Sequence, residues 1–379
     1  MSQHSPLGAS AAERWMNCPG SNVILQQLDL PETEESEYAK EGTAAHAVAA
    51  HALRNGLDMW ECEGQEWNGV IVDKEMVDAL QDYLDVLAAV RAEHNKGFVK
   101  ELIEYPIAGD FHPLFFGTCD DAILGEEVLD ITDLKYGAGI AVDVVNNPQL
   151  KYYAVGVLEK FMGPKRVRLR IVQPRAFHED GPIRVWETTS EELLTWKKEV
   201  LIPAMRRAEI DTTLTPGDHC RFCPAKLACP VLTALFGASV TADASILPNF
   251  SNDALSRNFK LTAAVKHYIK ALEDEVYRRL SHGQEVPEFK LVPKKANRVF
   301  TSEGATLVKD EFGADAIETK LKTPAQIEKL GAAGKKFVRE HAYTPQTGLT
   351  VAPLDDDRVG VKIQPPAEAF AHIAAQAAE

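Results

Sequence analysis

The chain has 379 residues, 45% of them apolar and 26% charged, which is enough for two domains and a sizeable core. It contains no apolar run long enough to cross a bilayer, and its N-terminal stretch lacks a signal peptide's apolar core, so a cytoplasmic location is expected. A formal net charge of -15 argues against a nonspecific nucleic-acid coat, which would carry a basic footprint, but leaves room for a local basic groove.

RWMNCPGS places Cys18 in or beside a turn, ahead of Pro19-Gly20. The acidic run PETEESEYAKE, Pro31 to Glu41, reads as solvated. GTAAHAVAAHALRNG then predicts an Ala-rich helix with Thr43 as its N-cap and Gly56 as its stop, so that His46 lies in the first turn. His51 follows five residues later, about 140° further round the helix, so the two histidines do not share a ligand face.

Residues 75–95 carry apolar positions at helical spacing. FVKELIEYPI, LFFGTCDDAIL and EEVLDITDLKYG read as three strands. Side chains alternate across a strand, so Asp120 and Asp121 point to opposite faces, whereas Asp133 and Lys135 share one. NPQLKYYAVGVLEKF predicts a helix opened by Asn147 and Pro148, with Gln149 and Tyr153 at i and i+4 on one face. VRLRIVQPR is a fourth strand, and SEELLTWKKEVLIPAMRRAEID is a helix with Ser190 as its expected N-cap. Helix, three strands, helix, strand implies an α/β sandwich.

A turn-rich segment, TPGDHCRFCPAKLACP, holds Cys220, Cys223 and Cys229 at Cys-x2-Cys-x5-Cys spacing. In a chain expected in the cytosol, such cysteines suit metal ligation better than disulfides. Beyond about residue 236 the character shifts. A linker, a long amphipathic helix from about Asn252 to Leu280, a hairpin in EFKLVPKKANRVF and a capped helical segment in TPAQIEKLGAAGKKFVREH make residues 236–379 an α+β accessory region.

The polar residues at the strand ends suggest chemistry. Cleaving a phosphodiester requires charge stabilisation at both the attacking and the leaving oxygen, and a divalent cation provides it. Mg²⁺ and Mn²⁺ take carboxylate and carbonyl oxygens, and Mn²⁺ also accepts imidazole. Asp120, Asp133 and His46 supply such a set, and the Leu134 carbonyl adds a further oxygen. Lys135 beside it would orient a water and neutralise charge developing on phosphate.

GTAAH, GTCD, DLK and QLKYY together resemble the RecB-like branch of the PD-(D/E)XK nuclease superfamily. The resemblance implies a restriction-endonuclease-like αβββαβ core over about residues 10–235, within a domain of residues 1–235. It implies a Mg²⁺- or Mn²⁺-dependent deoxyribonuclease, an exonuclease, and the negative net charge favours DNA ends or single strands over long duplex as its substrate. His46, Asp120 and Asp133 would hold the metal, Lys135 would be catalytic, and Gln149 and Tyr153 would contact the DNA backbone or position the metal site. Cys18 before the core and Cys220, Cys223 and Cys229 after it are similar to the iron–sulfur nucleases of this branch, the AddB nuclease domain and the CRISPR-adaptation type. That similarity implies a [4Fe–4S] cluster, with zinc as the alternative. Cys62 and Cys119 have no motif role. RWMNCPGS, DLKYG and FKLVPKKANRVF look closest to a phage and prophage family of this branch, which implies work in DNA recombination, replication or end processing beside phage proteins of those pathways. The competing expectation is a non-catalytic module that keeps the fold and binds DNA ends or a partner.

Overall fold

A computed structural model of the chain describes residues 5–28, 37–94, 97–241, 251–291 and Lys336. Two short N-terminal helices, α1 (Ala12–Asn17) and α2 (Gly20–Gln27), lead to α3 (Glu37–Asn55). A small hairpin of β1 (Glu66–Trp67) and β2 (Val70–Ile71) precedes α4 (Lys74–His94). Three strands follow: β3 (Phe98–Ala108), β4 (Phe116–Gly125) and β5 (Val128–Leu134). Next come α5 (Pro148–Leu158), β6 (Arg166–Val172) and β7 (Ile183–Thr189). A helical run then contains α6 (Ser190–Trp196), a π-turn at Lys197–Leu201 and α7 (Ile202–Ile210). The described elements close with α8 (Pro230–Thr241) and α9 (Asn252–Ser281). They all belong to one compact unit, Met1–Val292; Pro293–Glu379 is a second unit.

The sheet order is β3-β4-β5-β6-β7, antiparallel throughout except for the parallel β5–β6 pair. A parallel pair cannot be joined by a tight turn. Here α5 makes the crossover, and it packs on the sheet face formed by Leu102, Ile107, Ala122, Leu129 and Ile131, together with Trp15 and the α6–α7 run. On the other face α3 and α4 cover Ile123, Leu134 and Val172. The result is a mixed five-stranded sheet between helical layers, the arrangement expected from element order.

Local sequence accounts for the joints. Asn147 caps α5 by accepting from the amides of Gln149 and Leu150, and Pro148 supplies a first helical residue that needs no donor. Gly156 lets α5 lie directly on β3, since a Cβ there would stand 2.6 Å from Ile107 Cβ. Pro203 lacks the amide that an α-helix would direct at the preceding turn, and the π-turn falls just before it.

Two sequence expectations need correction. Thr43 is no N-cap, because α3 begins at Glu37 and runs through Gly42; the Thr43 hydroxyl donates to Ala39 O inside the helix. Thr189, rather than Ser190, caps α6, in a capping box with Glu192. The strand β7 and the β1–β2 hairpin were not anticipated. The expected hairpin at Glu288–Phe300 and helical segment at Thr323–His341 lie almost entirely outside the described residues.

Lys165, Arg166, Arg168, Arg170 and Arg175 lie close together in sequence, and three of these five basic side chains are used internally. Asp130, fully buried, pairs with Arg168 at 2.8 Å, Arg170 at 3.2 Å and His94 at 2.8 Å. Arg175 pairs with Glu41 at 3.3 Å and Glu75 at 3.1 Å while lying over the Tyr136 ring. Among the described residues, no helix is long and apolar enough to cross a membrane.

Candidate functional site

All six residues singled out in the sequence as catalytic converge at one end of the sheet. Asp120 comes from β4, Asp133 and Lys135 from the end of β5, His46 from the middle of α3, and Gln149 and Tyr153 from the first two turns of α5.

The half of the site fed by α5 is a continuous polar chain. Lys135 Nζ donates to Gln149 Oε1 at 2.9 Å and stands 3.0 Å from Asp133 Oδ2. Gln149 Nε2 donates both to Asp133 Oδ1 and to the Tyr153 hydroxyl, each at 3.0 Å. The Lys135–Asp133 approach is an ion pair without hydrogen-bond alignment, so Asp133 Oδ2 remains a buried acceptor with no hydrogen-bond donor. Burial raises the Asp133 pKa to about 6 against the opposing pull of Lys135, and Asp120 adds to the rise.

The other half is a triad. His46 Nδ1 lies 3.5 Å from Asp120 Oδ2 and 3.6 Å from Glu104 Oε1. The ligand atoms of His46, Glu104 and Asp120 all lie within 4.8 Å of one another. Burial alone would lower the histidine's pKa; the charge of Asp120, reinforced by Glu104 and Asp133, overrides it and lifts the value to about 9. Burial raises Asp120, and the nearby Glu104 charge adds to this, with His46 and Lys135 opposing. Three carboxylates, Glu104, Asp120 and Asp133, against Lys135 and His46 leave an excess of negative charge that fits a site completed by metal. Leu134 lines the same small pocket, and its amide donates to Asp120 Oδ2 at 2.9 Å.

Glu104 was not identified from the sequence. It sits at φ 46, and the β3–β4 ladder keeps its register on both sides while skipping the Glu104–Asp120 pair. The residues facing α5 step from Leu102 to Tyr105 to Ile107 on β3, and from Cys119 to Ala122 to Leu124 on β4. Strict alternation therefore breaks on both strands where the two carboxylates meet. A non-glycine residue at positive φ inside a strand is strained, and such strain gathers at functional sites.

The residues set aside in the sequence do lie elsewhere. Asp121 is fully buried on the α4 face, beside Tyr83 and Glu101. His51 points to the hairpin, its ring 5.0 Å from that of Trp67. Cys62 and Cys119 are buried in separate apolar clusters.

A second polar constellation is built from the N-terminal segment and the segment that follows α7. Cys18, Cys220, Cys223 and Cys229 line one pocket with Arg14, although about 200 residues separate the first from the rest. The approach depends on Gly20: its amide donates to Thr213 O at 2.9 Å, and a Cβ there would meet Thr212 O at 2.5 Å. Backbone amides already point at the sulfurs, Thr215 N at Cys18 Sγ (3.3 Å) and Gly217 N at Cys220 Sγ (3.5 Å). Burial raises the Cys220 and Cys223 thiols, while a neighbouring amide pulls each back and Arg14 pulls on Cys223. No three of these sulfurs belong to a donor group within 4.8 Å among the described residues. Helices α8 and α9 pack beside the segment through Leu232, Phe236, Ala264 and Tyr268.

The family described as "Protein of unknown function (DUF2800)" matches residues 4–359. The chain belongs to this family. The DUF2800 match spans the polar chain, the triad and all four pocket cysteines, and it continues past α9. A solved structure described as "Crystal structure of SSO0001" is 11% identical, covering 56% of this DUF2800 chain and 94% of its own, with a TM-score of 0.24.

Proposed function

We propose that this protein is a divalent-metal-dependent deoxyribonuclease of the PD-(D/E)XK type, in its RecB-like iron–sulfur branch. The observation that carries the reading is the junction of the Asp133–Lys135–Gln149–Tyr153 chain with the His46–Glu104–Asp120 triad. A binding module has no need of a lysine held against a buried carboxylate at the edge of a metal-ligand cluster.

His46, Glu104, Asp120 and Asp133 would hold Mg²⁺ or Mn²⁺, and Leu134 would contribute its carbonyl. When bound, the cation supplies Lewis acidity at the scissile phosphate. Lys135 orients the attacking water and balances charge on the phosphoryl oxygens, helped by a fixed position that Gln149 imposes. Gln149 also fixes the Asp133 carboxylate and the Tyr153 hydroxyl, so one amide sets three groups.

The cysteine pocket fits a [4Fe–4S] cluster better than zinc. Zinc sites more often use two short Cys-x2-Cys pairs, and this chain has one, Cys220 and Cys223. Amides directed at the sulfurs suit the charge of such a cluster. The cluster serves as a staple between the N-terminal segment and the end of the nuclease domain.

The substrate reading is DNA ends or single strands, processed as an exonuclease in phage-type recombination or replication with separate phage proteins, in the cytoplasm of the host cell. The negative net charge and the internal pairing of Arg168, Arg170 and Arg175 support a restricted substrate over long duplex. The test is anaerobic purification with a visible spectrum, then digestion of end-labelled DNA with Mg²⁺ and with Mn²⁺. A coloured protein that releases labelled nucleotides supports the reading. A folded protein that binds DNA ends without cutting under either metal refutes it and leaves the binding module.

A further inference from the structure

The loop of residues 136–147 joins the two catalytic elements, since Lys135 precedes it and Gln149 follows it. It carries small and apolar residues, Gly137, Ala138, Gly139, Ile140 and Ala141, all exposed. An exposed Gly-Ala segment of this kind has little of its own to hold a shape. It is nevertheless pinned from below by two residues outside the catalytic set.

Gln173 follows β6 and is 2% exposed. Its Nε2 donates to Gly137 O at 3.2 Å and to Ile140 O at 2.7 Å. Its Oε1 accepts from Val142 N at 3.1 Å and from the Arg184 guanidinium at 2.7 Å. Arg184, on β7 and 3% exposed, also donates to Val142 O at 3.0 Å and to Gly181 O at 2.7 Å. One primary amide thus uses both donors and both acceptor sites, three of them on the loop backbone. Buried polar groups satisfied this completely specify a single local geometry. Neighbouring contacts extend the brace: Lys135 N donates to Val172 O at 2.9 Å, and the Arg175 guanidinium lies 4.4 Å from the centre of the Tyr136 ring. The segment 172–175 therefore underlies the chain from Lys135 to Val142.

We propose that Gln173 and Arg184 are positioning residues that hold the 136–147 loop as a preformed rest for the substrate strand beside the catalytic set. The proposal rests on the nuclease reading for its substrate class. Neither residue touches the site, so their effect passes through the loop. The geometry predicts a change in substrate engagement while Lys135, anchored separately by Gln149 and Asp133, keeps its place.

The test compares wild type with Gln173→Leu, Gln173→Glu and Arg184→Lys in the full chain. Gln173→Glu keeps acceptors for Arg184 and Val142 N but cannot donate to Gly137 O and Ile140 O, so it removes half of the clasp with little change in volume. Three quantities are read: hydrogen exchange of the loop amides, steady-state kinetics on end-labelled DNA, and the Mn²⁺ concentration for half-maximal activity.

The expected result for Gln173→Leu is faster exchange confined to residues 136–147 and a KM for DNA raised about tenfold, with kcat within about twofold of wild type. The Mn²⁺ requirement stays unchanged, and Gln173→Glu and Arg184→Lys fall between. A loop that loosens with KM unchanged overturns the proposal. So does a fall in kcat at constant KM, the signature of a smaller folded fraction.

If wild type proves not to cleave, the nuclease reading fails separately. Fluorescence anisotropy with a labelled oligonucleotide then decides the proposal. Binding weakened about tenfold by Gln173→Leu or Gln173→Glu supports it. Equal binding by wild type and variants, or no binding by wild type, overturns it.

Discussion

Lys135 Nζ and Gln149 Oε1 meet at 2.9 Å, across the joint between the end of β5 and the first turn of α5. The contact makes the crossover helix part of the site. A lysine on a strand end is normally a solvated group with several rotamers, whereas here its direction is fixed by an amide that is itself fixed by Asp133 and Tyr153.

Removing members of this chain should give graded losses. Lys135→Ala and Asp120→Ala are expected to abolish DNA cleavage, and Gln149→Ala to lower kcat by about 100-fold through loss of positioning. All three should retain wild-type circular dichroism and cofactor colour, because the cysteine pocket uses other elements. Wild-type activity in purified Lys135→Ala or Asp120→Ala would remove the site from consideration.

The metal ligands can be separated from their neighbours by Mn²⁺ titration. His46→Ala and Glu104→Gln should each weaken Mn²⁺ binding by at least about tenfold, measured by calorimetry or by electron paramagnetic resonance of free Mn²⁺. His51→Ala and Asp121→Asn should bind as wild type, since His51 faces the hairpin and Asp121 is buried toward α4 beside Tyr83 and Glu101, outside the ligand triad. Equal weakening by His46→Ala and His51→Ala would indicate damage to α3 packing in place of ligation.

The contrast between Glu104 and the other ligands shows what sequence could carry. Asp133 and Lys135 are two apart on a strand, and Gln149 and Tyr153 are four apart on a helix, so their shared faces follow from chain geometry. Glu104 enters through a positive φ and a cross-strand register, neither of which leaves a periodic trace. Strand β7 was hidden for a related reason. Its inward positions are Arg184, Trp186 and Thr188, so the buried face lacks the apolar alternation that identifies a strand. Thr43 misled because Gly42 reads as a helix boundary, while in the fold it sits in open space within α3 and costs only its own poor propensity.

The crowded carboxylates predict an unusual pH dependence for the metal-free protein. The folded state raises His46 to about 9 and Asp133 to about 6, and it raises Asp120 as well. Each group binds its proton more tightly folded than unfolded, so each favours the fold as pH falls. For His46 the gain develops as pH drops through about 9 and is complete below the unfolded value of 6.5. For Asp133 it develops as pH drops through about 6 and is complete below 3.8. Metal-free protein should therefore melt at a higher temperature at pH 6 than at pH 8. Saturating Mn²⁺ should flatten or reverse that slope, because the cation competes with the same protons. Asp133→Asn should raise the metal-free melting temperature at pH 8 while abolishing cleavage. A melting temperature that rises with pH in the metal-free protein would contradict the cluster's proton affinity.

The cysteine pocket gives the most discriminating prediction, because it separates the cofactor from the reaction. Cys18→Ser, Cys220→Ser, Cys223→Ser and Cys229→Ser should each bleach the visible absorbance of anaerobically purified protein. Cys62→Ser and Cys119→Ser should leave it intact, being buried outside the pocket. Gly20→Ala is the sharper probe, since it removes no ligand. Its Cβ would press on the Thr212 and Thr213 carbonyls, at 2.5 Å and 2.7 Å, and these are backbone atoms that cannot swing away. The strain pushes Cys18 off the other three, so Gly20→Ala should lose colour as Cys18→Ser does. By the chain-entropy model for crosslinks, opening a loop of about 200 residues forfeits roughly 5 kcal/mol, enough to unfold a marginal domain. Both variants should accordingly melt far below wild type, with cleavage lost through unfolding rather than chemistry. A colourless wild-type preparation containing one zinc per chain would overturn the cluster. The cleavage site would be untouched by that result, since its ligands lie on β3, β4, β5 and α3.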